Sequence, residues 1–405
     1  MKRRTFLKST GLFAGTPVLL PRLSWAVGNT SNQGNILVTV FLGGGADGLN
    51  IVAPVGDNRY FDLRPTLAVQ TPGAGPDASL DLDGFYAMHP AMGKLHQRFH
   101  NGELAVVQAT GLTSDSHSHF DSISFMQRGI VKEQNVSDGW LNRHLSSGQS
   151  SESVFHAVGL QDALPRSLSG GYPAISIKSL QGFGLGLPPK QNQQVESLLA
   201  RLYQGNELLD VEAGKALAAI SELRSINPAE LSPPNEVSYP DSEFGQHCRD
   251  LAQLIKSDIG LGVASLSLGG WDHHDNQAQV LPDKLSDLAN SLDAFASDMG
   301  SEMNRITIVT MSEFGRRVAE NASGGFDHGY GSFMLAMGAG VSGGKVYGDW
   351  PGLAQSDLRF SGDLDITTDY RTVLAELLSK RFGQSDIGSV FPGYAIQPEL
   401  GLFLG

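Results

Sequence analysis

The chemistry-bearing residues of this chain gather in short clusters at the ends of apolar runs. The run ending in Leu268-Gly269-Gly270 is followed by Trp271-Asp272-His273-His274-Asp275-Asn276. In extended backbone alternate side chains face opposite ways, so Asp272 and His274 share one side, where a carboxylate and an imidazole can grip one cation. That donor pair suits Zn, Mn or Fe better than calcium. A second run ends in Gly111-Leu112-Thr113-Ser114-Asp115-Ser116-His117-Ser118-His119-Phe120-Asp121. A hydroxyl at a strand end and helix N-terminus is placed for nucleophilic attack, which makes Ser116 and Ser118 candidate nucleophiles and His119 a catalytic neighbour. The alternative is an N-cap at Ser114 or Asp115 in a polar loop.

Two further clusters follow Ile306 to Met311: Ser312-Glu313-Phe314-Gly315-Arg316, then Gly324-Gly325-Phe326-Asp327-His328-Gly329. Glu313 takes the strand-end position, and Arg316 is a candidate for facing an anionic substrate, with a surface ion pair as the alternative for each. Asp327 and His328 read either as metal ligands or as a turn. The earliest apolar run leads into Gly43-Gly44-Gly45-Ala46-Asp47-Gly48. Gly43, Gly45 and Gly48 satisfy the spacing of a dinucleotide fingerprint. Asp47 opposes that reading, because a carboxylate in the loop repels a pyrophosphate. The competing expectation has the glycines bend the backbone while Asp47 points into a crevice as a metal ligand. Gathering Asp47, Asp272, Glu313 and Asp327 without a cation is expensive, so the sequence predicts either a metal or no gathering.

These clusters need a scaffold that brings distant strand ends together. Apolar runs at Ile36 to Leu42, Leu104 to Ala109, Val154 to Val158, Ala174 to Ile177, Leu261 to Leu268, Ile306 to Met311 and Phe333 to Met337 read as buried strands. Helical patterns at Ala91 to Phe99, Gln193 to Ser225, Ser242 to Ile255, Asp283 to Met299 and Tyr370 to Leu378 separate some of them. The alternation predicts an α/β fold with a central, mostly parallel sheet and helices on both faces. A strand-poor stretch from about residue 178 to 240 is expected to be a helical insertion. Ligands of such sheets bind beyond the carboxyl ends of the strands, where the clusters fall.

The chain has 405 residues, 40% hydrophobic and 18% charged, with a net charge of −13. Its acidity excludes a nucleic-acid partner, which requires clustered Lys and Arg, and favours divalent cations. One cysteine, Cys248, excludes a disulfide framework within the chain and a thiolate zinc finger. Lys2-Arg3-Arg4-Thr5-Phe6-Leu7-Lys8, an apolar stretch from Gly11 to Leu20 and Ser24-Trp25-Ala26 follow one another as a twin-arginine export signal does. Residues 1–26 are therefore expected to be a signal peptide engaging the Tat translocase, and residues 27–405 a single domain, periplasmic or secreted. The apolar stretch is too short for a membrane span.

Phe41 to Asn50, Ser118 to Asp121, Gly269 to Gln277, Ser312 to Arg316, Asp327-His328-Gly329 and Thr367 to Arg371 together resemble the Tat-exported bacterial family DUF1501, of the alkaline phosphatase and sulfatase superfamily. The resemblance implies an alkaline-phosphatase-like fold and one or two divalent ions, Zn or Mn, flanking a serine nucleophile. By order along the chain it implies Asp47 as a ligand of one metal, Ser116 or Ser118 as nucleophile, Asp272 and His274 as ligands of the other metal, and His328 as the late histidine joining them. Phe314 stands where that template has a metal-binding histidine. The implied activity is hydrolysis of a small anionic phosphate or sulfate ester. The alternatives are a non-catalytic binding or assembly protein on the same fold, and an exported dinucleotide-binding oxidoreductase.

Overall fold

Eight-residue runs of apolar side chains with no polar face can only be covered on both sides. The computed structural model describes residues 34–405 apart from 74, 149–150, 152, 181–188, 206, 226–230 and 235, so the export-signal expectation lies outside the described residues. Twelve strands are numbered here in chain order: β1 (Ile36–Gly43), β2 (Val52–Ala53), β3 (Leu80–Asp81), β4 (Ala87–Met88), β5 (Leu104–Gly111), β6 (Ala157–Leu160), β7 (Ile175–Ser176), β8 (Val263–Gly269), β9 (Ile306–Met311), β10 (Ser332–Gly338), β11 (Val346–Tyr347) and β12 (Thr368–Asp369). Among the described residues, nine of them form one sheet in the order β11, β5, β10, β9, β1, β8, β6, β7, with β12 beside β5. β2, β4 and β3 form a small separate sheet.

β10 runs antiparallel to both β9 and β5, while β1 is parallel to β8 and β9 and β6 is parallel to β7 and β8. The sheet is thus mostly parallel, as the alternation of elements predicts. Side chains alternate across β1. Ile36, Val38, Val40 and Leu42 enter a core with the helices Gly93–His100, Glu243–Lys256 and Gln277–Met299, and Leu37 enters a second core with Trp140–Ser147 and Tyr370–Phe382. The segment between β7 and Glu243 contains the helices Pro189–Leu202 and Leu208–Ser225. Residues Gln33–Gly405 form one compact unit. No helix of the described residues is long and apolar enough to cross a membrane.

Register decides what this sheet can do. Gly43 pairs with Gly269 and Phe41 with Met311, so β1, β8 and β9 end level with one another. The residues after each strand, Gly44 to Asp47, Gly270 to His274 and Ser312 to Arg316, emerge at one edge. β5 points the same way, delivering His117 and His119 to that edge. Because β10 is antiparallel, its beginning lies there too, which brings in Asp327 and His328.

Candidate metal centre

Ser118 caps the helix His119–Arg128, its hydroxyl accepting from the Asp121 amide at 3.5 Å, and Gly129 ends the helix in the left-handed region at φ 70°. His119 is thereby fixed in the first turn. Its Nδ1 lies 2.7 Å from Oε1 of Glu313, which is fully buried and also accepts the Gly44 amide at 2.8 Å. His328 Nδ1 lies 2.9 Å from the carbonyl oxygen of His117, and His274 Nδ1 lies 3.2 Å from Oδ1 of Asp327. Each of these partners is an acceptor, which favours a hydrogen on each Nδ1 and, in the neutral ring, a lone pair on each Nε2.

The three lone pairs converge. His328 Nε2 is 2.9 Å from His119 Nε2 and 3.0 Å from His274 Nε2. Asp272 stands beside them, with Oδ1 3.1 Å from His274 Nε2 and 3.3 Å from His328 Nε2, and Oδ2 3.5 Å from His119 Nε2. One ligand atom from each of His119, Asp272 and His328 lies within 4.8 Å of the others. Neutral imidazoles locked in these tautomers have no hydrogen to share among their Nε2 atoms. A proton or a cation between them would relieve the repulsion of those lone pairs.

The electrostatics separate the members. The hydrogen bond His119 donates to Glu313, aided by the charges of Glu313 and Asp272, outweighs burial and raises the His119 pKa, whereas burial lowers that of His328. Burial pulls the Asp272 carboxyl upward, but the Arg316 guanidinium bound to it prevails and holds it at about 2. The carboxylate is therefore ionised at any working pH. Two or three imidazoles with one carboxylate form a donor set of the zinc type, and carboxylate or carbonyl partners at each Nδ1 supply the orienting shell such sites use.

The structure redistributes several expected roles. Asp272, His274 and His328, expected to be metal ligands, lie within contact distance of one another, and His119, expected to be catalytic, stands beside them. Glu313 and Asp327, expected to be metal ligands, instead orient His119 and His274. Asp47 is outside the cluster: both carboxylate oxygens accept from Arg64 Nη1, at 3.0 and 2.8 Å, and Gln277 Nε2 donates to Oδ2 at 2.7 Å. Its ligand role gives way to a buried ion pair, because Arg64 already supplies the counter-charge.

Arg316, expected to face an anionic substrate, is committed to partners within the protein. It is 1% exposed, donates to the carbonyls of Gly45, Phe326, Gly44 and Trp271, and binds Asp272 Oδ1 at 2.6 Å. It pins three strand-end loops together and places Asp272. Ser118 is occupied as the helix cap. Ser116 Oγ accepts from the Ser118 amide at 3.2 Å and donates to Asp121 Oδ2 at 3.4 Å.

Phe314 lies against both imidazoles, with ring centroids 4.7 Å from His119 and 4.9 Å from His328. The glycine loop is no dinucleotide cradle. Its Gly44 and Ala46 amides are spent on Glu313 and on Ser312 Oγ, and the helix that follows has only four residues, Gly48–Ile51. Sequence reasoning missed Arg64, which no local pattern ties to Asp47, and Asp121 as a partner of Ser116. It also missed His117, whose Nε2 lies 2.8 Å from the buried Asp363.

The chain belongs to the family described as Protein of unknown function (DUF1501), whose pattern matches residues 35–392. No curated protein matches it. Among solved structures, it is similar to the alkaline phosphatase from the Antarctic bacterium TAB5, at 9% identity and a TM-score of 0.31, covering 78% of this chain and 95% of that one. A sulfatase from Pseudoalteromonas sp. matches at 12% identity and a TM-score of 0.31, over 77% of this chain and 64% of that one. The lipoteichoic acid synthase LtaP from Listeria monocytogenes matches at 10% identity and a TM-score of 0.33, over 78% of this chain and 68% of that one.

Proposed function

We propose that this protein is an exported, metal-dependent hydrolase of small phosphate or sulfate esters, periplasmic or secreted, holding one Zn or Mn ion at His119, Asp272 and His328, with His274 beside them. The observation that carries the proposal is the convergence of three Nε2 lone pairs on the Asp272 carboxylate. A bound divalent ion supplies Lewis acidity, stabilising negative charge on the transferred group. Glu313, Asp327 and the His117 carbonyl keep the three imidazoles in the ligating tautomer, and Arg316 holds Asp272 ionised. Ser116 is the favoured nucleophile, since its hydroxyl has a carboxylate, Asp121, to receive its proton. Its oxygen bonds to phosphorus or sulfur, the ester oxygen leaves and is protonated by solvent, and water then cleaves the serine ester.

Aryl phosphates and sulfates, screened with added Zn or Mn, test this reading. Turnover that is lost on chelation, in Asp272→Ala and in Ser116→Ala supports it. A metal-loaded protein without turnover overturns the hydrolase and favours a binding or assembly protein. That second reading has its own support: Phe314 covers two of the imidazoles, and Ser118 is engaged as a helix cap.

A further inference from the structure

The helix Gly93–His100 carries His96 and His100 four residues apart, which places both rings on one face. Their Nε2 atoms are 2.9 Å apart. Both also approach the carbonyl oxygen of Asp81, which lies 2.7 Å from His96 Nε2 and 3.1 Å from His100 Nε2. The rings meet edge to face, with centroids 4.4 Å apart.

Counting hydrogens shows what this triangle lacks. A carbonyl oxygen only accepts, and a neutral imidazole has one N–H to give. If His96 donates to Asp81, His100 must either aim a lone pair at the same oxygen or press a second N–H against the first. No arrangement of neutral rings satisfies all three approaches, whereas a cation accepts a lone pair from each corner. A cation about 2.1 Å from all three atoms would hold them on one face of an open coordination shell.

We propose that His96, His100 and the Asp81 carbonyl form a separate site for a borderline divalent cation such as Zn, Ni or Cu(II), with solvent completing the coordination. The donors are led by imidazole, which excludes calcium and magnesium as its natural occupants. One oxygen of each nearby carboxylate is engaged locally: Asp81 Oδ1 accepts the Gly84 amide at 3.0 Å, and Asp83 Oδ1 accepts those of Phe85 and Tyr86. The site would clamp β3 of the small sheet to the helix that leads into β5. It is distant from the centre above. His100 precedes the first residue of β5 and His119 follows the last, and eight strand residues span about 26 Å.

The test uses the untagged full chain carrying Asp272→Asn and His328→Gln, which disables the other centre, and titrates it with Zn²⁺ by calorimetry. One ion per chain is expected. Adding His96→Gln or His100→Gln should weaken its binding at least about tenfold, and Cu²⁺ bound in place of Zn²⁺ should show nitrogen hyperfine coupling by electron paramagnetic resonance. Absence of Zn²⁺ binding in the Asp272→Asn/His328→Gln chain, or binding indifferent to both histidine substitutions, overturns the proposal. If the strand-end centre holds no metal at all, its two substitutions leave binding as in the wild type and the His96 comparison reads the same way.

Discussion

Asp47 and Asp272 follow neighbouring parallel strands whose ends are in register, yet their surroundings differ in kind. Asp47 is 2% exposed and closed off within the protein. Arg64 neutralises it, Gln277 takes a further lone pair, and Arg64 in turn stacks 3.9 Å over the Phe326 ring. Asp272 is half-exposed, and although Arg316 balances its charge, three imidazoles crowd around it with Nε2 atoms 2.9 and 3.0 Å apart. On the proposed function, a strand-end carboxylate serves as a ligand only where its neighbours leave electron pairs over. Negative charge alone is a poor guide.

The largest effect should come from breaking the closed region. Arg64→Met leaves Asp47 buried with only Gln277 to donate to it and no counter-charge, and should cost about 3 to 5 kcal/mol in urea unfolding. Adding Asp47→Asn should recover most of that loss. A single substitution costing under about 1 kcal/mol would show that the pair is not the self-contained unit described here.

Gly44 couples the two regions. A Cβ there, at φ 123°, would stand 2.7 Å from the backbone nitrogen of Asp272 and 2.8 Å from that of Trp271. Gly44→Ala should therefore cost about 1 to 3 kcal/mol and also weaken cation binding, because the loop carrying Asp272 must shift. Unchanged affinity in a destabilised protein would separate backbone strain from site geometry.

Asp272→Asn should invert the Arg64 pattern, changing stability by about 1 kcal/mol or less while cutting Zn affinity at least about tenfold. Equal losses in both measurements would make Asp272 a structural residue like Asp47.

The mildest effect concerns His89, which feels Asp47 but is ruled by burial, lowering its pKa to about 4. Its neutral Nδ1 accepts the Ala91 amide at 3.1 Å as a helix cap. The folded pKa lies below the unfolded value near 6.5, so the unfolded chain binds the proton first. Stability should be intact above pH 6.5 and fall as pH drops toward 4. His89→Asn, which keeps a capping oxygen, should flatten that part of the stability profile, and an unaltered profile would remove His89 from the account.

Much of the scaffold is legible in sequence because buried parallel strands are written as continuous apolar runs. All seven such runs overlap strands of the large sheet, six of them closely, while the run Val154 to Val158 meets β6 only at Ala157 and Val158. The reversed direction of β10 is not legible, since an antiparallel strand buried on both faces has the same composition. The helix His119–Arg128 also escaped, because Ser, His and Asp at its start read equally well as loop. At the site, Asp272, His274 and His328 were recognisable from residue type beside a strand end. The roles of Glu313, Asp327 and Arg316 were not, because a carboxylate that orients a histidine and one that binds a metal look alike until distances are known. Asp47 was misread for a related reason: its counter-charge, Arg64, lies 17 residues away in a segment without a motif.

If His119, Asp272 and His328 surround a cation, an anomalous difference map at the zinc edge, from crystals grown with Zn²⁺, should show a peak about 2.0 to 2.2 Å from Nε2 of His119, Nε2 of His328 and one Asp272 oxygen. Density showing His119 and His328 hydrogen-bonded directly to each other, with no peak between them while zinc is present in the crystal, would contradict it.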